Sequence, residues 1–287
     1  MTISTSEQLW ENTVFPADDG QELHGRWFEP IADRRGVVVI VPAMATTAAY
    51  YATFASWLRD RGFAVLTFDY RGYGASLSGP MSEVENDLVR WALDARDALD
   101  YAHARAAGSP VTWLGHSLGG QVLPFADHSR VDRAINVASG TGYWKHNSPG
   151  VRLTAPVLWK VIAPAAIAVA GYFPGKRLRM LGDLPPNVMR QWGRWCMEPD
   201  YLLSELPEMR EEFAKVDLPM VSLSFTDDEM MSSASISTLD GLYTSVDEVR
   251  MRYTPAQLGV ERMGHFGFFR DNQVDLWDEL ILPFLAV

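Results

Sequence analysis

The chain has 287 residues, of which 47% are hydrophobic and 21% are charged, and it contains 22 Gly and 17 Pro. This composition is typical of a globular protein and excludes a disordered, collagen-like or coiled-coil chain, and the length suffices to bury one large core. The net charge of −11 argues against nucleic acid as a partner, because an acidic surface repels phosphate backbones.

The first half of the chain predicts a β-hairpin followed by alternating strands and helices. Two runs of strand character, 9–15 and 22–28, flank the turn signal Asp19-Gly20. A β-branched run at 36–41 and a second run at 63–68 are typical of strands buried on both faces, with a helix predicted between them over 48–61.

A long helix is predicted over 82–107, because apolar residues recur there at steps of three and four. Ser82 and Glu85 have the spacing of a capping box at its start. A short strand at 111–114, a helix that begins near Leu118 and a strand at 133–138 follow.

The alternation lapses over residues 140–215 and then resumes with a strand at 218–225, a helix near 235–243, a strand at 248–253 and a helix from Gln273. This order predicts one doubly wound, mostly parallel α/β domain made of residues 1–139 and 216–287, with a helical insertion at 140–215.

One apolar stretch, 155–173, is nearly long enough to span a bilayer. Pro156, Lys160 and Pro164 interrupt it, and a central Lys is costly in lipid. We therefore expect a pair of hydrophobic helices in a soluble protein, and we do not expect membrane contact.

The cellular setting is predicted from two further features. Residues 1–10 lack a basic stretch followed by an apolar run, so no secretory signal is predicted. The lone Cys196 excludes an intramolecular disulfide and a multi-cysteine metal site, and it is typical of a reducing compartment. We expect a cytoplasmic protein, and a homodimer remains open.

The segment Gly115-His116-Ser117-Leu118-Gly119 joins a predicted buried strand to a predicted helix. Gly-x-Ser-x-Gly at such a corner is the nucleophile elbow, a tight turn that lifts the Ser hydroxyl clear of the sheet. The sequence therefore predicts Ser117 as a nucleophile.

A nucleophilic Ser needs a base, and His265 is the candidate among six histidines. It lies between Gly264 and Phe266 in the loop between the last strand and the last helix, where a ligand-facing base belongs. His116 adjoins the nucleophile, so its ring must point elsewhere.

A third residue must orient the imidazole and offset the charge that it gains. The segment after strand 133–138 has no carboxylate, whereas strand 218–225 is followed by Thr226-Asp227-Asp228-Glu229. The order Ser, Asp, His along the chain matches that of α/β-hydrolases.

Together these motifs resemble the α/β-hydrolase superfamily and, within it, the monoglyceride-lipase and serine-aminopeptidase-like group. Asp69-Tyr70-Arg71-Gly72-Tyr73-Gly74-Ala75-Ser76 is similar to that group's Asp-x-Arg-Gly-x-Gly-x-Ser turn. The resemblance implies that Asp69 and Arg71 form a structural turn with an internal ion pair, and that the insertion 140–215 covers the site as a cap.

The resemblance also implies the remaining site residues. In the group the acid stands three residues after a Gly whose position Phe225 takes here, which indicates Asp228 and leaves Asp227 as the alternative. Met44 and Leu118 would supply oxyanion-hole amides. Pro42-Ala43-Met44 stands where the group has His-Gly-x, and Ala43 in place of Gly would restrict how that loop turns. The expected substrate contacts are Met44, His116, Trp192 and Trp195.

We therefore expect a serine hydrolase acting on small or medium hydrophobic esters, with no metal and no organic cofactor. A peptidase ranks lower, because no acidic cluster in the cap is suited to a peptide's free amino group. An acyltransferase or thioesterase with the same triad is the alternative, followed by a non-catalytic binding protein on this scaffold.

Overall fold

Eight strands form a single sheet in the computed structural model, which describes residues 9–180 and 182–285. In chain order they are β1 (Glu11–Pro16), β2 (Glu22–Phe28), β3 (Gly36–Val41), β4 (Phe63–Phe68), β5 (Val111–His116), β6 (Arg133–Val137), β7 (Pro219–Phe225) and β8 (Asp247–Tyr253).

The strand order across the sheet is β1-β2-β4-β3-β5-β6-β7-β8. The pairs β1–β2 and β2–β4 are antiparallel and all other neighbours are parallel. The carboxyl ends of β3, β5, β6 and β7 therefore meet at one edge, which is where ligands bind in open α/β sheets.

Helices cover both faces of this sheet. They are α1 (Ala52–Asp60), α2 (Leu88–Ala106), α3 (Pro149–Val157), α4 (Ala163–Ala170), α5 (Pro186–Met197), α6 (Met209–Lys215), α7 (Ser233–Asp240), α8 (Val274–Leu280) and α9 (Leu282–Leu285).

The central strand β3 shows how the core divides. Val37, Val39 and Val41 pack into the apolar cluster on one face, and Val38 and Ile40 pack into the cluster on the other. All five are fully buried, because successive side chains of a strand point to opposite faces and both faces are covered. The predicted α/β fold is confirmed.

Helix α2 begins later than the sequence predicts. Asp87 caps it by accepting a hydrogen bond from the amide of Arg90 at 3.0 Å. Gln191, from α5 in the segment 140–215, accepts from the amide of Leu88 at 2.7 Å. The prediction of a cap at Ser82 is wrong, since residues 81–83 form a separate turn and the true cap uses a distant side chain.

The helix expected from Leu118 is also absent. Two short 3₁₀ turns, Ser117–Gly120 and Leu123–Phe125, stand there instead. Paired glycines disfavour a helix, and Pro124 cannot donate a backbone hydrogen bond.

The ion pair predicted between Asp69 and Arg71 does not form. The Asp69 carboxylate accepts hydrogen bonds from two backbone amides, at 2.7 and 2.8 Å. Arg71 pairs with Asp94 at 2.6 Å and with Asp19 at 2.5 Å. The turn is therefore structural, as expected, but the two side chains have different partners.

The apolar stretch forms one continuous helix, Pro149–Ala170, rather than the expected pair. A π-helical turn, Leu158–Ile162, connects α3 to α4 directly before Pro164. A wider turn accommodates a proline ring that would otherwise clash with the preceding turn. Among the described residues this is the one helix long and apolar enough to cross a membrane.

Candidate active site

Ser117 lies directly after β5 with a φ of 53°, in the left-handed region that few side chains adopt. The tight turn is possible because its neighbours are glycines. A Cβ on Gly119 would lie 2.1 Å from the carbonyl oxygen of Val41, and one on Gly115 would lie 2.5 Å from the backbone of Gly119. The local backbone is that of a nucleophile elbow.

The structure brings Ser117, His265 and Asp228 together. Nε2 of His265 lies 3.0 Å from Oγ of Ser117, and Nδ1 lies 2.8 Å from Oδ2 of Asp228. The three residues are 4%, 1% and 6% exposed, so the chain of hydrogen bonds is shielded from water. A carboxylate can only accept, so Nδ1 carries the proton and Nε2 is left to accept from the serine hydroxyl.

Three neighbouring acidic residues have three different partners. Asp228 faces His265 and also accepts from two backbone amides that follow it, both at 2.8 Å. Asp227 accepts from the amides of Met263 and Gly264, at 2.8 and 3.0 Å. Glu229 accepts from the His265 amide at 3.1 Å. Asp228 thus orients the ring, while the other two hold the loop that carries it.

The loop after β3 is fixed by three tyrosine hydroxyls. The hydroxyl of Tyr51 accepts from the amide of Ala43 at 3.0 Å. The hydroxyls of Tyr70 and Tyr73 donate to the carbonyls of residues 42 and 45, at 3.0 and 2.6 Å. Hydrogen bonds on both sides of Met44 hold the loop in one conformation.

The predicted oxyanion amides are those of Met44 and Leu118. Within the described residues neither amide donates a hydrogen bond, so both are available to an incoming oxygen. The loop carries its left-handed residue at Ala45, with a φ of 57°, and not at Ala43. Alanine in place of glycine at 43 is therefore compatible with the turn.

His116 connects this loop to the loop of His265. Its Nε2 lies 3.1 Å from the carbonyl oxygen of His265, which can only accept, so Nε2 carries the proton. Its Nδ1 then accepts from the hydroxyl of Tyr51, at 2.8 Å. Burial holds the pKa of His116 well below its usual value, which keeps the ring neutral, as this pattern requires.

His116 is fully buried, so its geometry supports positioning of the two loops rather than direct substrate contact. The expected contacts Trp192 and Trp195 lie on α5. Trp195 donates to Glu205 at 2.9 Å, and Trp192 packs edge to face against Trp159 at 5.0 Å. Both indole rings are engaged by residues of the segment 140–215.

A cavity of about 850 Å³ lies between the helix Pro149–Ala170 and α5. Its walls include Trp159, Ile167 and Met189, with Lys160 and Arg194 among its charged groups, and Ser117 is not part of its lining. Because Ser117 is almost fully covered, a substrate reaches it only if surrounding side chains or segments move.

The family model described as serine aminopeptidase, S33, matches residues 32–192. The chain belongs to this family. It is an α/β hydrolase, and the resemblance predicted from its motifs is confirmed.

Solved structures support the fold of this S33-family hydrolase. A soluble variant of monoglyceride lipase from Saccharomyces cerevisiae is similar with a TM-score of 0.68 at 16% identity, over 99% of this chain and 96% of that one. An esterase of Pyrococcus furiosus is similar with a TM-score of 0.64 at 12% identity, over 99% and 94%. At these identities the likeness shows the fold alone.

Curated relatives match a smaller part of the hydrolase. The uncharacterized protein YfhR of Salmonella typhimurium is 37% identical over 126 residues, which is 41% of each chain. The human protein ABHD12B is 32% identical over 117 residues, 39% of this chain and 30% of that protein. The matches therefore span about two fifths or less of these relatives' length.

The three tyrosines that hold the loop after β3 were not predicted from the sequence. Tyr70 and Tyr73 lie inside the turn motif 69–76, so a signal for them was present in the sequence. Tyr51 carried no signal, because its place in a predicted helix is equally consistent with simple packing.

Proposed function

We propose that this protein is a serine hydrolase that cleaves small or medium hydrophobic carboxylic esters through an acyl-enzyme on Ser117. The observation that carries the proposal is the hydrogen-bonded series Ser117–His265–Asp228, with distances of 3.0 and 2.8 Å. These distances are within the reach that general-base catalysis requires.

In the first half of the reaction, Oγ of Ser117 attacks the ester carbonyl carbon while Nε2 of His265 takes the hydroxyl proton. Asp228 stabilises the imidazolium, and the amides of Met44 and Leu118 donate to the oxyanion. Each such donor is worth about 10²–10³ in rate. The C–O bond then breaks, and the leaving alkoxide takes the proton from His265.

In the second half, water replaces the alcohol. His265 takes a proton from the water as its oxygen attacks the acyl carbon, and it returns that proton to Oγ of Ser117 as the acid leaves. The chain's own residues thus suffice for every proton transfer in the cycle.

The cap favours a neutral, apolar substrate. Residues 140–182 contain no Asp or Glu, so this part of the cap offers no carboxylate to a peptide's ammonium group. Farther along the cap, Glu198 and Glu205 line the cavity, and Glu205 is engaged by Trp195 and Arg194. Met44 and Leu118, whose amides would hold the oxyanion, both have buried apolar side chains, which supports an ester over a peptide.

The test is hydrolysis of p-nitrophenyl esters from acetyl to dodecanoyl, together with labelling by a fluorophosphonate probe. We expect wild type to turn over part of the series and to bind one probe per chain. Ser117→Ala should lose about five or six orders of magnitude in kcat and all labelling. Ser129→Ala, in an exposed loop, is the matched control and should behave as wild type.

The same experiment separates the alternatives. Probe labelling without ester turnover would favour an acyltransferase or thioesterase, for which added alcohols and thiols would be assayed as acceptors by product analysis. Neither labelling nor turnover would favour a binding protein on this scaffold and would overturn the proposal.

A further inference from the structure

The cap helix, Pro149–Ala170, exposes an apolar face. Only 17% of its most apolar window is buried. Leu153, Val157, Val161 and Val169 are 78%, 53%, 59% and 90% exposed, and they recur at multiples of four residues. Several large aliphatic side chains exposed along one helix are typical of an interaction site.

The chain segment that contains this helix, residues 140–182, has a net charge opposite in sign to that of the whole chain. Residues 140–182 contain six Lys or Arg and no Asp or Glu, in a protein of net charge −11. All six are exposed, and none forms an ion pair with a described residue. They are Lys145, Arg152, Lys160, Lys176, Arg177 and Arg179.

The segment that follows the helix continues both features. Lys176-Arg177-Leu178-Arg179-Met180 alternates cations with apolar side chains, and Leu178 and Met180 are 40% and 45% exposed. Exposed apolar groups beside cations are the two requirements for contact with an anionic lipid surface.

We infer that the cap helix and the segment 176–180 form a docking surface for an anionic lipid bilayer. The helix lies in the plane of the headgroups, with Leu153, Val157, Val161 and Val169 inserted below them. The cations remain level with the lipid phosphates.

The arrangement distinguishes lying on a membrane from crossing it. Ala155, Ala163 and Ile167 are buried against the protein, so the helix is fixed to the cap along one side. Lys160 stands in its middle, where a spanning helix would place a charge at the centre of the bilayer. Pro156, Lys160 and Pro164, on which the expectation of no membrane contact was based, oppose crossing of the bilayer. They do not oppose insertion of one side of the helix.

A second copy of the chain is the other apolar partner to consider. A two-fold dimer through this face would bring the same surface of both copies together, and so cation against cation. An anionic bilayer supplies charge opposite to that of the six exposed cations, which favours lipid over self-association.

The first measurement is sedimentation of the full chain with vesicles of phosphatidylcholine, with and without about one third phosphatidylglycerol. We expect at least about tenfold stronger binding to the anionic vesicles, falling steeply as salt is added. Equal binding to both vesicles, or no binding to either, would overturn the inference.

Two pairs of variants test the two features separately. Leu153→Ser with Val169→Ser should weaken binding about tenfold or more, whereas Ile31→Ser with Val249→Ser, two exposed aliphatics outside the cap, should not. Lys176→Glu with Arg177→Glu should weaken binding about tenfold and flatten the salt dependence, whereas Arg210→Glu with Lys215→Glu should not.

Light scattering and circular dichroism complete the design. Circular dichroism checks that each variant is folded, so that a loss of binding can be assigned to the substituted surface side chains. Light scattering would reveal a wild-type dimer and show whether Leu153→Ser with Val169→Ser dissociates it. If it does, and wild type does not bind vesicles, the face serves self-association and the lipid inference is wrong. Because binding is measured without an ester, the result is independent of the proposed activity.

Discussion

The side chains of Ser117, His265 and Asp228 are hydrogen-bonded to one another and buried, whereas along the cap helix large aliphatic side chains face solvent. His265 and Asp228 are 1% and 6% exposed, while Leu153 and Val169 are 78% and 90% exposed. A site that must hold atoms within hydrogen-bond reach needs surroundings that fix them. A surface that binds a partner leaves its apolar side chains exposed to solvent until the partner is bound.

After Ser117→Ala, the largest effect should come from Asp228. Asp228→Asn keeps the shape but removes the carboxylate that fixes the tautomer of His265, so we expect kcat for a p-nitrophenyl ester to fall about 10⁴-fold. Asp227→Asn, the matched control, changes only the loop contacts of Met263 and Gly264 and should cost far less. Similar losses in both variants would show that the two carboxylates are not distinguished as the structure indicates.

Substitution of two glycines, Gly119 beside Ser117 and Gly193 in α5, would compare how rigidly the two regions are packed. A Cβ on Gly119 meets the backbone oxygen of Val41 in the central strand, at 2.1 Å, and nothing there can give way. Gly119→Ala should therefore lower the free energy of unfolding by about 4 kcal/mol or more. A Cβ on Gly193 of α5 meets the ring of Trp159 at 2.9 Å, and this half-buried side chain can shift.

Gly193→Ala should accordingly change stability by less than about 1 kcal/mol, because the gain in helix propensity offsets the displacement of the ring. Urea unfolding of both variants provides the measurement. A Gly193→Ala loss as large as that of Gly119→Ala would mean that the cap is packed as rigidly as the strand ends.

A third effect depends on pH and comes from Asp240, at the end of α7. Burial, with Glu248 nearby, raises the pKa of Asp240 to about 7, and Ser222 and Arg250 only partly offset this. Between pH 4 and 7 the unfolded chain releases this proton while the folded protein retains it, so the contribution of Asp240 to stability is lost as pH rises.

Asp240→Asn removes that dependence. The variant should match wild type near pH 4 and exceed it at pH 8 by about 2–4 kcal/mol in the free energy of unfolding. Asp247→Asn, an exposed position at the start of β8, is the control and should show no such gain. Equal stability of Asp240→Asn and wild type at pH 8 would contradict the raised pKa.

Tyr51→Phe tests whether the loops at the site need their buried connection. Loss of the hydroxyl leaves the amide of Ala43 and Nδ1 of His116 without a partner. We expect kcat to fall about tenfold, since one such buried bond is worth about 1–3 kcal/mol, with KM little changed. Tyr101→Phe removes a hydroxyl that is hydrogen-bonded to Thr13 and Arg105 and to neither loop of the site, so it should leave both constants as they are.

Patterns within a short stretch made much of this molecule predictable. The β-branched run of β3 and the elbow at Ser117 are both local signals, and His265 was found by its place between the last strand and the last helix. Asp227 and Asp228 were harder, because which neighbouring carboxylate reaches the histidine depends on how the turn is bonded. The start of α2 was missed because Gln191, about a hundred residues away in the chain, helps to cap it.

The cap helix was the least predictable part, because an apolar helix has the same composition whether it is buried or exposed. Only the fold shows that its aliphatic face is uncovered. The sequence did contain the charge difference between residues 140–182 and the rest, but that difference acquires meaning only once the apolar face is known to be exposed.

The smallest effect should come from that face. Leu153→Ser with Val169→Ser removes side chains that have few neighbours to lose, so we expect the free energy of unfolding to change by less than about 0.5 kcal/mol. Turnover of a water-soluble p-nitrophenyl ester should stay within about twofold of wild type, because neither residue contacts the triad. Thermal unfolding and ester assays without lipid provide the measurements. A loss of several kcal/mol would mean that these side chains stabilise the fold itself, and the contrast between a fixed site and a free surface would then fail.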